Sequence, residues 1–210
     1  MKPPRLIFLV LVAMLVFIPG SSTWGYGSFK ARISSPDSAK ILSVPYISQG
    51  ATSWCFESLL EMVLGYWGES VDVTDFASAS GHGPAAGNNV FDIFWGWVHP
   101  YLSARTNLVY EYDILGWDFD RYRAEIDNNV PVIVSFFGLP GHTVVVVGYS
   151  PEDGERYLYL NDPSGYLTDL KWDTGAVSRA RVSWTDFSGL HWTELVISLH
   201  DSACQPSFLG

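Results

Sequence analysis

Basic residues are scarce. Twelve Lys and Arg stand against 22 Asp and Glu, for a formal net charge of −10. Phosphate backbones are repelled by such a surface, so nucleic acid is excluded as a partner class. Cysteine is nearly absent, with only Cys55 and Cys204. Two thiols and scattered histidines offer no ligand spacing for a tetrahedral zinc site, so neither a metal nor a cofactor is expected. No internal repeat is visible. The glycine-rich loop at 81–89 has no Lys-Ser/Thr after it, which excludes a phosphate loop and leaves a loop at a cleft rim. The longest apolar run, Leu6 to Ile18, is 13 residues, short of the roughly 20 that cross a bilayer.

What is there suits one ordinary domain. The 210 residues suffice for a sizeable core, and 48% apolar content argues against disorder. Nine Trp, eleven Tyr and twelve Phe stiffen that core, with a minority left to line a peptide- or glycan-binding groove. The first 20 residues stand apart. Lys2 and Arg5 precede the apolar run, and Pro19-Gly20-Ser21-Ser22 leaves it, the pattern of a secretory signal peptide. An uncleaved N-terminal anchor over 6–18 is the alternative, and no cysteine follows to carry a lipid. Cleavage removes two bases and no acids, leaving ten against 22, a net of −12. Residues 21–40 read as a flexible lead-in and a candidate pro-segment, 41–200 as the domain, and 201–210 as a tail. The location expected is secreted or extracytoplasmic.

The chain is organised around Gln49 to Leu60. Phe56, Leu59, Leu60, Val63, Leu64 and Trp67 recur on one face of a helix, with Glu57, Ser58 and Glu61 on the other. Thr52 and Ser53 are candidate N-caps, and Gly68 is a candidate stop. Cys55 then lies in the first turn, where unpaired N–H groups and the helix dipole favour the nucleophilic thiolate. A base is still needed, and an orienter for the base. Three strand-like runs follow: 131–138, 141–149 and 157–162. His142 begins the second, Asp162 ends the third, and the turn at 151–154 makes those two an antiparallel hairpin. The start of one strand then lies beside the end of the next. Cys55, His142 and Asp162 can form an activated-thiol constellation, with Gln49 as oxyanion donor. Asn161 is a second candidate orienter.

The order Gln49, Cys55 at a helix start, Gly141-His142 opening a valine-rich strand and Asn161-Asp162-Pro163 resembles the papain-like cysteine peptidases. It is closest to the branch of double-glycine leader peptidases that process bacteriocins. Val44-Pro45-Tyr46-Ile47-Ser48-Gln49, Met62 to Gly68 and Pro131 to Val134 fit that branch, over roughly residues 41 to 165. One departure is that Phe56-Glu57 follow the cysteine where the branch usually has Gly-Pro. The resemblance implies an α+β, papain-like fold, an N-terminal active-site helix packed on a C-terminal antiparallel sheet. It favours Asp162 over Asn161 as orienter and permits acyl transfer as well as hydrolysis.

Elsewhere, 41–47 reads as a short strand broken by Pro45, and 71–75 starts a helix capped by Asp72 or Thr74. Residues 90–102 read as an aromatic helix carrying Trp95 and Trp97, and 118–128 as a charged helix. Residues 165–188 read as loop, with Trp172 and Trp184, and 193–199 as the last strand. His82, His99, His191 and His200 have no evident partners, His82 being the one that sits in the glycine loop. Cys204 is read as unpaired, since a bridge to Cys55 would cap the nucleophile. The expected activity is peptide-bond hydrolysis by an exported thiol enzyme acting on a peptide or protein. A non-catalytic extracellular binding module on the same fold, or a transglutaminase-like acyl transferase, is the alternative.

Overall fold

The computed structural model describes residues 38–72, 74, 77, 83, 96, 98–105, 107–114, 116–136, 141–165, 178–189 and 193–201. The signal segment, most of the lead-in, the glycine loop except Gly83, Trp95, Trp97, Trp172, His82, His191 and Cys204 lie outside the described residues. The elements in chain order are β1 (Lys40–Ile41), α1 (Cys55–Tyr66), α2 (His99–Arg105), β2 (Leu108–Asp113), α3 (Phe119–Asp127), β3 (Val132–Phe136), β4 (His142–Glu152), β5 (Glu155–Asn161), β6 (Ala180–Ser183), α4 (Trp184–Gly189) and β7 (Thr193–Asp201). The class is α+β.

The strands form one antiparallel sheet in the order β2-β7-β3-β4-β5-β6, with β1 beside the far end of β4. Residues 142–150 of β4 are buried without interruption. A strand that alternates its side chains between two faces can do this only when both faces are covered. Helices α1 and α3 both pack on β4. Two register shifts interrupt the ladders, at Ser135/Phe136 against β7 and between Val146 and Gly148 against β5. At Gly148 a Cβ would lie 2.6 Å from the Lys40 carbonyl oxygen, so glycine there lets β1 approach.

Local chemistry explains the ends. Trp54, not Thr52 or Ser53, is the N-cap of α1, and it makes no side-chain capping bond. Gly68 stops the helix in a left-handed conformation (φ 84°). The Gly68 and Glu69 amides donate to the Gly65 and Leu64 carbonyls, a Schellman closure. Helix α3 starts on Asp118, whose carboxylate accepts from the Arg121 amide at 2.8 Å, and closes the same way on left-handed Asn129. The β4–β5 turn is Asp153-Gly154 with both φ positive (51° and 81°), the backbone a two-residue type I′ hairpin requires.

Four expectations from the sequence need correction. Glu57 and Ser58 are 1% and 0% exposed, because α1 is covered on more than the one face its periodicity marks. The strand expected over 41–47 is only Lys40–Ile41, since the edge it pairs with runs out. Within residues 165–188, read as loop, lie β6 and most of α4, which runs on to Gly189; pairing with β5 makes the strand. The last strand, expected to end at residue 199, runs on to Asp201, because β2 pairs it to that point.

Candidate functional site

Cys55 is the first residue of α1, partly exposed and a free thiol. Its helix packs on β4, the strand that His142 opens. Asp162 follows the last residue of β5, on the neighbouring strand of the hairpin. His142 Nε2 lies 2.8 Å from Asp162 Oδ1, and the two side chains are only 7% and 1% exposed. Cys55 is the second group that acts on this imidazole, raising its pKa together with Asp162. With Nε2 facing Asp162, the nitrogen left for the thiol proton is Nδ1.

The electrostatics follow from this enclosure. Burial by itself pushes the His142 pKa down. The hydrogen bonds to Asp162 and Cys55 and the charges of both push it up more strongly, to about 9. The imidazolium is therefore the form held at neutral pH.

Asp162 is itself held by a tight turn. Its Oδ1 accepts from the Ser164 amide at 3.0 Å, the Gly165 amide at 3.1 Å and the Ser164 hydroxyl at 3.2 Å. The adjoining backbone is tied to the segment that leads into α1. Tyr46 Oη donates to the Asp162 carbonyl at 3.2 Å, and the Gln49 amide donates to the Pro163 carbonyl at 3.0 Å. Ser48 Oγ reaches the same Pro163 oxygen at 3.4 Å. Gln49 thus lies next to the end of β5. Its Nε2 donates to the Thr52 carbonyl at 2.5 Å, and Thr52 Oγ1 donates back to the Gln49 carbonyl at 2.6 Å. One N–H of the Gln49 amide is used by this loop, and the second remains for another acceptor.

Asn161 is turned away from the imidazole. Its Oδ1 accepts from the Arg179 amide at 3.0 Å, and its Nδ2 reaches the Pro45 carbonyl at 3.5 Å. Ser164 escaped the sequence reading, which gave Tyr46 and Ser48 only as part of the Val44 to Gln49 stretch and Thr52 only as a candidate N-cap. The signal for Ser164 was the Asp-Pro-Ser-Gly sequence itself, because an Asx turn directs the next two amides at the Asp carboxylate.

Two histidines read as partnerless have partners. His99 Nδ1 is 2.6 Å from Tyr110 Oη. His200 Nε2 is 3.0 Å from Ser198 Oγ and 3.6 Å from Glu125 Oε2. With Glu111, Glu125 and His200 bring three metal-ligand-type atoms within 4.8 Å of one another, from β2, α3 and β7. Arg121 Nη2 stands 3.8 Å from Glu111 Oε2. Burial first, then the Glu111 charge, pushes the Glu125 carboxyl up to about 7, with Arg121 opposing. Burial lowers His200, with Glu111 opposing. The group thus sheds charge by protonating Glu125 and keeping His200 neutral.

Comparison with known proteins extends this picture. The chain is similar to the peptidase domain of Streptococcus ComA, a bi-functional ABC transporter (18% identity over 76% of this chain and 96% of that one, TM-score 0.46). It is similar to a double-glycine-motif protease from an AMS/PCAT transporter, solved with its leader peptide (18% identity, 78% and 96% covered, TM-score 0.51). Procathepsin L 3 from the larval midgut of Tenebrio molitor is also similar (18% identity, 63% and 62% covered, TM-score 0.44). At 18% identity and a TM-score of 0.51, the likeness to the AMS/PCAT protease speaks for the fold alone. No curated protein matches the sequence. The profile of the Peptidase_C39 like family matches residues 41–191, which include Gln49, Cys55, His142 and Asp162. With well over half its length matched, the chain belongs to the Peptidase_C39 like family and is a papain-like cysteine peptidase.

Proposed function

We propose that Cys55, His142 and Asp162 act as the catalytic triad, with Gln49 as oxyanion donor, and that the substrate is a peptide amide. The observation that carries this reading is the shared imidazole. One buried histidine is hydrogen-bonded to a carboxylate that has its own set of donors, and its pKa is raised by a thiol at a helix start. In the forward step the Cys55 thiolate adds to the scissile carbonyl. The oxyanion that forms is held by the second Gln49 N–H and by the Cys55 backbone N–H, one of the amides a helix start leaves without an intrahelical partner. The His142 imidazolium gives its Nδ1 proton to the departing amine. Water then attacks the acyl-enzyme, returning a proton to His142 and the electron pair to sulfur. Asp162 keeps the ring aligned and stabilises its charge throughout.

The test is a thiol-directed probe of the epoxide or vinyl-sulfone type applied to the intact protein, with the adduct mapped by mass spectrometry. Cys55 is modified far faster than Cys204 near neutral pH. Cys55→Ala abolishes turnover of a peptide substrate while the circular dichroism spectrum is unchanged. Equal labelling of the two thiols, or parental turnover by the alanine variant, refutes the triad.

We also propose that the protein is exported. The support is Lys2 and Arg5 before the apolar run Leu6 to Ile18, followed by small residues. Fractionation of expressing cells then finds the chain outside the cytoplasm and shorter by about 20 residues. Full-length protein confined to the cytosol would refute it.

A further inference from the structure

We propose that Ser164 is a positioning residue of this site, acting through Asp162 and His142; the inference rests on the triad proposed above. The Ser164 hydroxyl lies against the bond between the two. Its Oγ donates to Asp162 Oδ1 at 3.2 Å and stands 3.5 Å from His142 Nε2. The turn at 162–165 does not need this hydroxyl. The Ser164 and Gly165 amides already close it onto Oδ1 at 3.0 and 3.1 Å, and Gly165 supplies the left-handed backbone (φ 71°). The hydroxyl is therefore an addition to a complete turn, set where the imidazole meets the carboxylate.

Its geometry suggests what it does. Asp162 Oδ1 takes the Nε2 bond at 2.8 Å together with the three donors from 164 and 165. The carboxyl group can turn about its last side-chain bond, a soft torsion. The hydroxyl is the donor to Oδ1 that also stands near the ring, 3.5 Å from Nε2, and so it would resist rotation that takes Oδ1 out of line with Nε2. A fixed Nε2 partner fixes the ring plane, and through it the direction in which Nδ1 faces Cys55. Ser164 touches neither substrate nor sulfur in this role. Its contribution belongs to the chemical step, with no share in substrate binding.

The experiment uses the full chain as parent, Ser164→Ala and Ser164→Thr. The first readout is the solvent-exchange rate of the His142 Nε2 proton by NMR. The second is kcat and KM on a peptide substrate. Losing one hydrogen bond of ordinary strength corresponds to about a tenfold effect. The alanine variant exchanges this proton about tenfold faster and loses about tenfold in kcat, with KM unchanged and thermal unfolding close to parental. Threonine keeps the hydroxyl and restores both. An alanine variant with parental exchange and parental kcat overturns the proposal, and so does a failure of threonine to restore either. If no form turns over peptide, the triad reading has failed separately, and the exchange rate alone decides whether Ser164 holds the pair.

Discussion

His142 Nε2 and Asp162 Oδ1 stand 2.8 Å apart across a hairpin, with twenty positions of chain between them and almost no solvent around either. Asp162, together with Cys55, holds the His142 pKa up at about 9 against the opposing effect of burial. In the proposed mechanism the charged ring is the proton donor to the leaving amine, so the pair contributes to setting the pH range of the chemistry.

Asp162→Asn tests that link. In the parent, kcat/KM falls on the alkaline side with an apparent pKa of about 9, as His142 loses its proton. Without the carboxylate charge, the limb moves down toward the ordinary histidine value of about 6.5. The sign for stability agrees. A base whose folded pKa is raised contributes fully below its unfolded pKa, and the contribution is lost as pH rises through about 9. An alkaline limb that stays in place in the asparagine variant would remove Asp162 from the role given to it.

Gln49→Ala separates oxyanion binding from thiol reactivity. In the proposed mechanism the amide serves a charge that exists only after attack, so kcat is expected to fall on the order of 10²-fold with KM nearly unchanged. Alkylation of Cys55 by iodoacetamide builds no oxyanion and proceeds at the parental rate. Because Gln49 Nε2 also bonds the Thr52 carbonyl, loss of both activities would identify Gln49 as a support of the loop.

Glu125→Gln changes the pH dependence of stability. The Glu125 carboxyl is raised from 4.5 to about 7, by burial first and the Glu111 charge second. The folded state thus holds this proton more tightly than the unfolded chain. Its contribution is complete below about pH 4.5 and is lost as pH rises to about 7. Glutamine has no such term, so the variant gains on the parent by up to a few kcal/mol over that interval. Urea midpoints from pH 4.5 to 8 check this. A parent that gains on the variant as pH rises would show the opposite linkage.

Gly148→Ala detaches the N-terminal strand. The new methyl would meet the Lys40 carbonyl oxygen at 2.6 Å and Ile41 Cα at 2.9 Å, both of them backbone atoms that must move. The cost is about 1–3 kcal/mol. Amide exchange at Leu42, whose N–H donates to the Val147 carbonyl at 2.7 Å, speeds up more than exchange in β3. Uniform exchange across the sheet would show that β1 is not what the glycine accommodates.

Helix α1, the β4–β5 hairpin and α3 were legible because their signals are local. A period of 3.6 residues, an Asp-Gly turn and an Asp cap each act within a few residues. The fold class followed from their order, and the family profile agrees. Strands β2 and β6 were not legible. Each carries polar side chains and is held as a strand by a partner far along the chain, Ser198 opposite Glu111 and Leu158 opposite Val182.

The sequence by itself determined where a nucleophile could stand and which residues could serve it. Cys55 at a helix start and His142 and Asp162 at matching ends of a hairpin are consequences of short-range chemistry. Tertiary structure decided what surrounds them. It buried Glu57 and Ser58, turned Asn161 toward Arg179 and Pro45, set Ser164 against the His142–Asp162 bond and gathered Glu111, Glu125 and His200 from three elements. The physical reason is that burial and hydrogen-bond partnership depend on which strands pair and which helices cover them. Those contacts join residues that carry no sign of one another in the chain.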